Sequence, residues 1–188
     1  MMTGDSVGRR PLHRRETICE AFLRDDGLIE IEARMRDLTP QGTDLVFHRL
    51  APGQPIHDMR LVMTLDRALR IQRMRAVIAQ GATPYCAEIE EAYAALQGLQ
   101  IGPGFKQQMK ARVGGVRGCT HLSDAVAAMA TTAMQAMFAL NREMRGKHHG
   151  NGPMPRPAVL DTCHAWRSDG QAVNILWPPH RRAVTNQV

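Results

Sequence analysis

Ile29-Glu30-Ile31-Glu32-Ala33-Arg34-Met35-Arg36 carries an apolar residue at every odd position and a charge at every even one. Side chains along an extended chain alternate between faces. The stretch therefore reads as a half-buried strand, with Ile29, Ile31, Ala33 and Met35 toward a core and Glu30, Glu32, Arg34 and Arg36 toward water. A sheet with one wet face is the antiparallel kind. Just upstream, Arg24-Asp25-Asp26-Gly27 gives the Asp-Gly signal of a hairpin, preceded by a strand pattern running from His13 through Ile18, Glu20 and Phe22.

Downstream, a loop rich in glycine and proline runs from Thr39 to Pro55, with room for a short strand at Leu45–Leu50. Ile56 to Leu65 then places His57, Met59, Leu61, Met63 and Leu65 on one face, and Asp66-Arg67 can turn it into a fourth strand, Leu69 to Ala79. Consecutive strands with short turns make an antiparallel meander. The pattern then becomes helical. Thr83-Pro84 reads as a cap and first-turn proline for a helix from Tyr85 to about Gln97. Phe105 to Val113 is a short helix stopped by Gly114-Gly115, and Thr120 caps a long one with Leu122, Val126, Met129, Ala133, Met137, Leu140 and Met144 at helical spacing. Gly146 to Pro157 reads as a linker, whose His148-His149 is expected to be a solvated surface pair. Leu160 to Arg167 and Val173 to Trp177, either side of Ser168-Asp169-Gly170, read as a terminal β-hairpin. The expectation is an α+β fold: a meander of three to four strands packed on one face by helices, with a C-terminal hairpin. A flexible arm (1–12), one metal-binding domain (13–178) and a tail (179–188) describe its organisation.

Bulk properties narrow the function. No apolar run reaches the ~18–20 residues of a membrane span, and the basic N-terminus lacks the apolar stretch of a secretory signal. A cytoplasmic protein with reduced thiols is expected, so Cys19, Cys86, Cys119 and Cys163 serve packing, metal binding or catalysis. Cys19, inside a strand pattern, reads as packing. The net charge is +6, but the basic residues are scattered arginines and aromatics make up 4%. That argues against a base-stacking nucleic-acid surface and for attraction of a small anionic organic molecule. The oligomeric state is open, a homo-oligomer included.

Three segments could carry chemistry. His57 lies on the apolar face of its strand, where it is either a metal ligand or a core histidine bonded to backbone. Cys86 follows Thr83-Pro84-Tyr85, and Gly118-Cys119-Thr120-His121 opens the long helix. A cysteine at a helix start feels the positive end of the dipole, which favours the metal-binding thiolate. His57, Cys86, Cys119 and His121 thus form a candidate ligand set for zinc or iron. Asp58 is the acid/base candidate beside it, although strand alternation turns it away from His57. In Asp161-Thr162-Cys163-His164, Cys163 reads as buried.

Arg24-Asp25-Asp26-Gly27, Ile56-His57-Asp58-Met59, Pro84-Tyr85-Cys86 and Gly118-Cys119-Thr120-His121-Leu122, in this order, resemble an uncharacterised bacterial domain-of-unknown-function family, from about Arg10 to Pro178. That resemblance implies no activity. Ile56 to Met134 is remotely similar to the iron–sulfur cluster assembly scaffold in its strand–strand–helix order. Ile56-His57-Asp58 stands where the scaffold has Cys-Gly-Asp, Cys86 where it has a cysteine before a helix, and Cys119 with His121 where it has His-Cys. The scaffold's first cysteine is absent and its histidine falls on the other side of the last cysteine, so the similarity implies a shared site location with a mononuclear ion. The resulting expectation is a small metalloenzyme that hydrolyses, hydrates or cleaves a small acid or thioester; the alternative is a metal or iron–sulfur scaffold or carrier without turnover. A structural zinc, and a thiol enzyme using Cys119 with His121, complete the set of readings.

Overall fold

The computed structural model describes residues 7–144, 152–157 and 159–183. The His148-His149 pair lies outside them, as do the first residues of the arm and the last of the tail. The chain forms two compact units, Met1–Glu143 and Met144–Val188.

The first unit is an α+β fold. Strands β1 (Arg14–Leu23), β2 (Ile29–Leu38), β5 (Pro55–Leu65) and β6 (Ile71–Gln80) form an antiparallel sheet in that order, while β3 (Thr43–Asp44) and β4 (Arg49–Leu50) make a separate small hairpin inside the β2–β5 connection. The Asp-Gly turn works through Gly27, whose φ of +81° lies in the left-handed region that glycine enters without steric cost. Arg24 N–H donates to Leu28 O at 2.9 Å across it. The alternation in β2 is realised residue by residue: Ile29, Ile31, Ala33 and Met35 are buried, as are Met59, Leu61, Met63 and Leu65 opposite them on β5.

The helical elements share that face. A long 3-10 segment (Pro84–Leu96) replaces the expected α-helix, followed by α1 (Phe105–Val113) and α2 (Thr120–Met144). From α2, Leu122, Ala125, Val126, Met129, Ala133 and Met137 enter the same core as the sheet's methionines and isoleucines. Thr120 is the first helical residue and not the cap; the carbonyl of Cys119 accepts the first helical hydrogen bond, from Ser123 N–H at 3.0 Å. The 3-10 segment and the residues just after it run along the outer edge of β6, where Ile71 N–H donates to Leu99 O, Gly98 N–H to Ile71 O, and Ile78 N–H to the Glu90 carboxylate.

In the second unit, the expected terminal hairpin is corrected. Short helical turns stand in its place: a 3-10 turn (His164–Trp166), α3 (Gln171–Leu176) and a second 3-10 turn (Pro179–Arg181). Asp161 is the reason the segment turns early. It adopts a φ of +62° and its carboxylate accepts from Ser168 N–H, closing a loop where a strand would have to continue. Cys163, read as buried, is exposed.

Candidate metal centre

The site stands at one corner of the sheet, at the start of α2. Arg15 on β1 pairs with Asp37 on β2, and Asp37 pairs with His57 on β5. Directly opposed residues of an antiparallel sheet share a face. All three side chains therefore point to the helix-covered side, in the register that also buries Met35 and Met59. His121, in the first turn of α2, completes the group. Its ring lies 4.0 Å from that of His57, centroid to centroid, with 36° between the planes. One ligand atom each from Asp37, His57 and His121 lies within 4.8 Å of the other two.

Asp37 is 1% exposed, and an ionised carboxylate at that depth needs partners. It accepts four hydrogen bonds. Arg15 forks onto both oxygens (Nε to Oδ1 and Nη2 to Oδ2, each 2.7 Å), His13 Nε2 donates to Oδ1 at 3.0 Å, and His57 Nδ1 donates to Oδ2 at 3.0 Å. Burial alone would raise the carboxyl's pKa. The hydrogen bonds from Arg15, His13 and His57 outweigh that and hold it well below the usual carboxylate range. An ionised carboxylate only accepts. A neutral His57 with its proton on Nδ1 thus gives that proton to Asp37, and an ion shared by the two side chains would stand where the proton is. Reciprocally, the Asp37 hydrogen bond raises the pKa of Arg15.

His121 sits differently. Its Nε2 is 3.7 Å from Asp37 Oδ2 and its Nδ1 3.7 Å from Cys119 Sγ. Burial, then the neighbouring His57 and the Arg15 guanidinium, push its pKa below the ordinary imidazole value. Neutral imidazole is the form that binds a metal or accepts a proton.

The start of α2 is fixed from two sides. Tyr93, fully buried, donates its hydroxyl to Cys119 O at 2.8 Å, accepts from Cys119 N–H at 3.1 Å, and meets Ser123 Oγ at 3.0 Å. Gly118 lies so close to the end of α1 that a Cβ there would overlap the Val113 carbonyl. Tyr93→Phe is expected to cost about 1–3 kcal/mol, since it leaves the Cys119 N–H without its acceptor. Urea unfolding of the two proteins checks this, with the loss appearing in the midpoint at unchanged slope.

His57 and His121 are brought together, with Cys119 beside His121. Cys86 takes another position, packed against Gly81 just beyond the end of β6, where a Cβ on Gly81 would strike its Cβ and Sγ; its sulfur meets Thr83 Oγ1 at 3.4 Å. There it lines an open cleft of about 340 Å³ with Phe47, His48, Gln80 and Thr83, outside the converging ligand group. Asp58 lies on the opposite face from His57. Its carboxylate is held by Arg34 (Nη2 to Oδ2, 2.6 Å; Nε to Oδ1, 3.0 Å), which also lowers its pKa, so it is an ion-paired surface acid with no line to the site. Asp37 was not singled out from the sequence. It could have been: the alternation Ile29, Ile31, Ala33, Met35 continued one step places an acid on the buried face.

Among the described residues, no helix is long and apolar enough to cross a membrane. No curated protein and no solved structure significantly matches the chain. A family profile does, over residues 13–135, which takes in every residue of the site and ends before the second unit. The chain belongs to DUF2889, a family described as "Protein of unknown function".

Proposed function

We propose that this protein binds one zinc or mononuclear iron ion through His57, His121 and Asp37, and uses it as a small metal-dependent hydrolase or lyase on a small anionic acid or thioester. The observation that carries the reading is the convergence of the three ligand atoms within 4.8 Å, drawn from two strands and a helix start. The donor chemistry fits: two imidazoles and a carboxylate suit zinc and iron alike. Asp37 supplies the negative charge, the ion taking the place of the proton that His57 Nδ1 shares with it, and Arg15 keeps Asp37 ionised at a depth where it would otherwise take up a proton. Such an ion, when bound, polarises a carbonyl or activates water. Arg15, with its side chain 41% exposed, is a cation at the site that an incoming anion can reach. Cys119 lies across the His121 ring from Asp37, outside the converging group, and Cys86 is set apart as well, which weakens the three-thiolate scaffold alternative.

A second reading rests on a different contact. Cys119 Sγ, His121 and Asp37 stand in line, with 3.7 Å on either side of the imidazole. That is the order of a nucleophile, its base and an orienting acid.

Metal analysis separates the two. Purified without a histidine tag, the wild type is expected to carry about one equivalent of zinc or iron. His121→Ala should lose it and Cys119→Ala keep most of it. Metal-free protein after anaerobic reconstitution, with Cys119 alkylated selectively and more slowly in His121→Ala, would replace the metal reading with the thiol one.

A further inference from the structure

The two edges of the main sheet are treated differently. β6 is sealed by Glu90 of the 3-10 segment, which accepts from Ile78 N–H, and by Gly98 and Leu99 just after that segment, which bond to Ile71. β1 is ten residues long, and among the described residues nothing pairs with its outer edge. Ile18, Phe22 and Leu23 on it are exposed apolar residues. A long open edge is a template for another strand.

The hydrogen-bond parity of that edge follows from the hairpin. Arg24 N–H bonds to Leu28 O, and narrow and wide pairs alternate along an antiparallel ladder. With the β1–β2 register, the even residues of β1 bond to β2. Arg15, Thr17, Cys19, Ala21 and Leu23 therefore turn their N–H and C=O groups outward. A second β1 running antiparallel must pair odd residues with odd ones, which leaves few registers. Centring on Ile18 sets Glu16 against Glu20 of the other copy twice, and centring on Glu16 or Glu20 sets each against itself. Like charges directly opposite destabilise a sheet. Centring on Thr17 sets Arg14 against Glu20 twice and the exposed Leu12 against Phe22, while Arg15 and Cys19 exchange backbone hydrogen bonds.

We propose that two copies of this chain pair through β1, antiparallel and centred on Thr17, extending the sheet continuously across a two-fold axis. The occupant is a second copy because the strand is complementary to itself in charge: its basic start faces its own acidic middle. This inference is independent of the metal reading and rests only on backbone register and sequence.

Sedimentation velocity on the full chain at rising concentration tests it. The wild type should be a dimer. Thr17→Pro removes an outward N–H that β2 does not use, so the protomer keeps its fold, checked by circular dichroism, and the dimer is lost. Glu20→Arg opposes Arg14 twice and should weaken association by about tenfold or more. The swap Arg14→Glu with Glu20→Arg should restore most of it, which a merely misfolded variant could not do. A monomer at every concentration would overturn the proposal. A dimer indifferent to both Thr17→Pro and Glu20→Arg would overturn it equally, since association would then use another surface.

Discussion

Asp37→Ala is expected to destabilise the metal-free protein by about 3 kcal/mol, at the low end of what removing one member of a buried ion pair costs. The low end applies because Arg15 is 41% exposed on its side chain and can swing its guanidinium into water, whereas His57 is buried and loses its Nδ1 acceptor outright. Thermal or urea unfolding of wild type and variant measures the difference. The pH dependence is its signature. Partners hold the folded Asp37 carboxyl below its unfolded value of about 3.9, so its contribution is complete well above that pH and shrinks as the pH falls below it. His121 adds in the same direction. Burial, His57 and Arg15 depress its folded pKa, so the unfolded chain takes up a proton first as the pH drops through about 6.5, and stability starts to fall there. Two stages of acid loss should appear. Asp37→Asn should remove the lower one and leave the upper; an unchanged acid profile in that variant would show that Asp37 is not the buried anion described above.

Met129→Ala should cost about 2–5 kcal/mol, the range for emptying a buried methionine site. Met129 is fully buried in the core that joins α2 to the sheet, with Leu122, Val126 and Ala133 on the same stripe. It is two turns along the helix from His121, about 12 Å at 1.5 Å per residue. The cavity should therefore lower the unfolding temperature while leaving the stoichiometry of bound metal intact at low temperature. Loss of metal along with stability would mean that the site depends on the packing of the whole helix, not on its first turn.

The sheet was legible because its inner positions are cleanly apolar: Ile29 to Met35 and Met59 to Leu65 can bury only one face. The long helix was legible for the same reason, from Leu122 through Met137. The C-terminal segment misled because Val173 to Trp177 is short and apolar enough for either strand or helix. Its outcome is settled by the turn at Asp161 and by the break at Gly170, whose carbonyl accepts from Asn174 N–H to open α3. At the site, His57 and His121 stood out as imidazoles in structured positions. For Asp37 the alternation of β2 gives only a place on the buried face; it follows Arg36 and precedes Leu38 at the end of a strand, where an acid ordinarily reads as the start of a loop. Only its register opposite His57 and Arg15 gives it a role, and register is a long-range property. Asp58 stands out by its place next to His57, and Cys86 by its place at the start of a helical segment. The pleat sends Asp58 to the wet face, and Gly81 seats Cys86 beyond the strand end.

The most direct test is a calorimetric titration of the metal-stripped wild type with zinc, alongside His57→Ala and His121→Ala. One saturable site in the wild type, abolished in both variants while their folds persist by circular dichroism, is the predicted result. No binding in the wild type, or binding that survives the loss of either histidine, would contradict the assignment of Asp37, His57 and His121 as a metal centre.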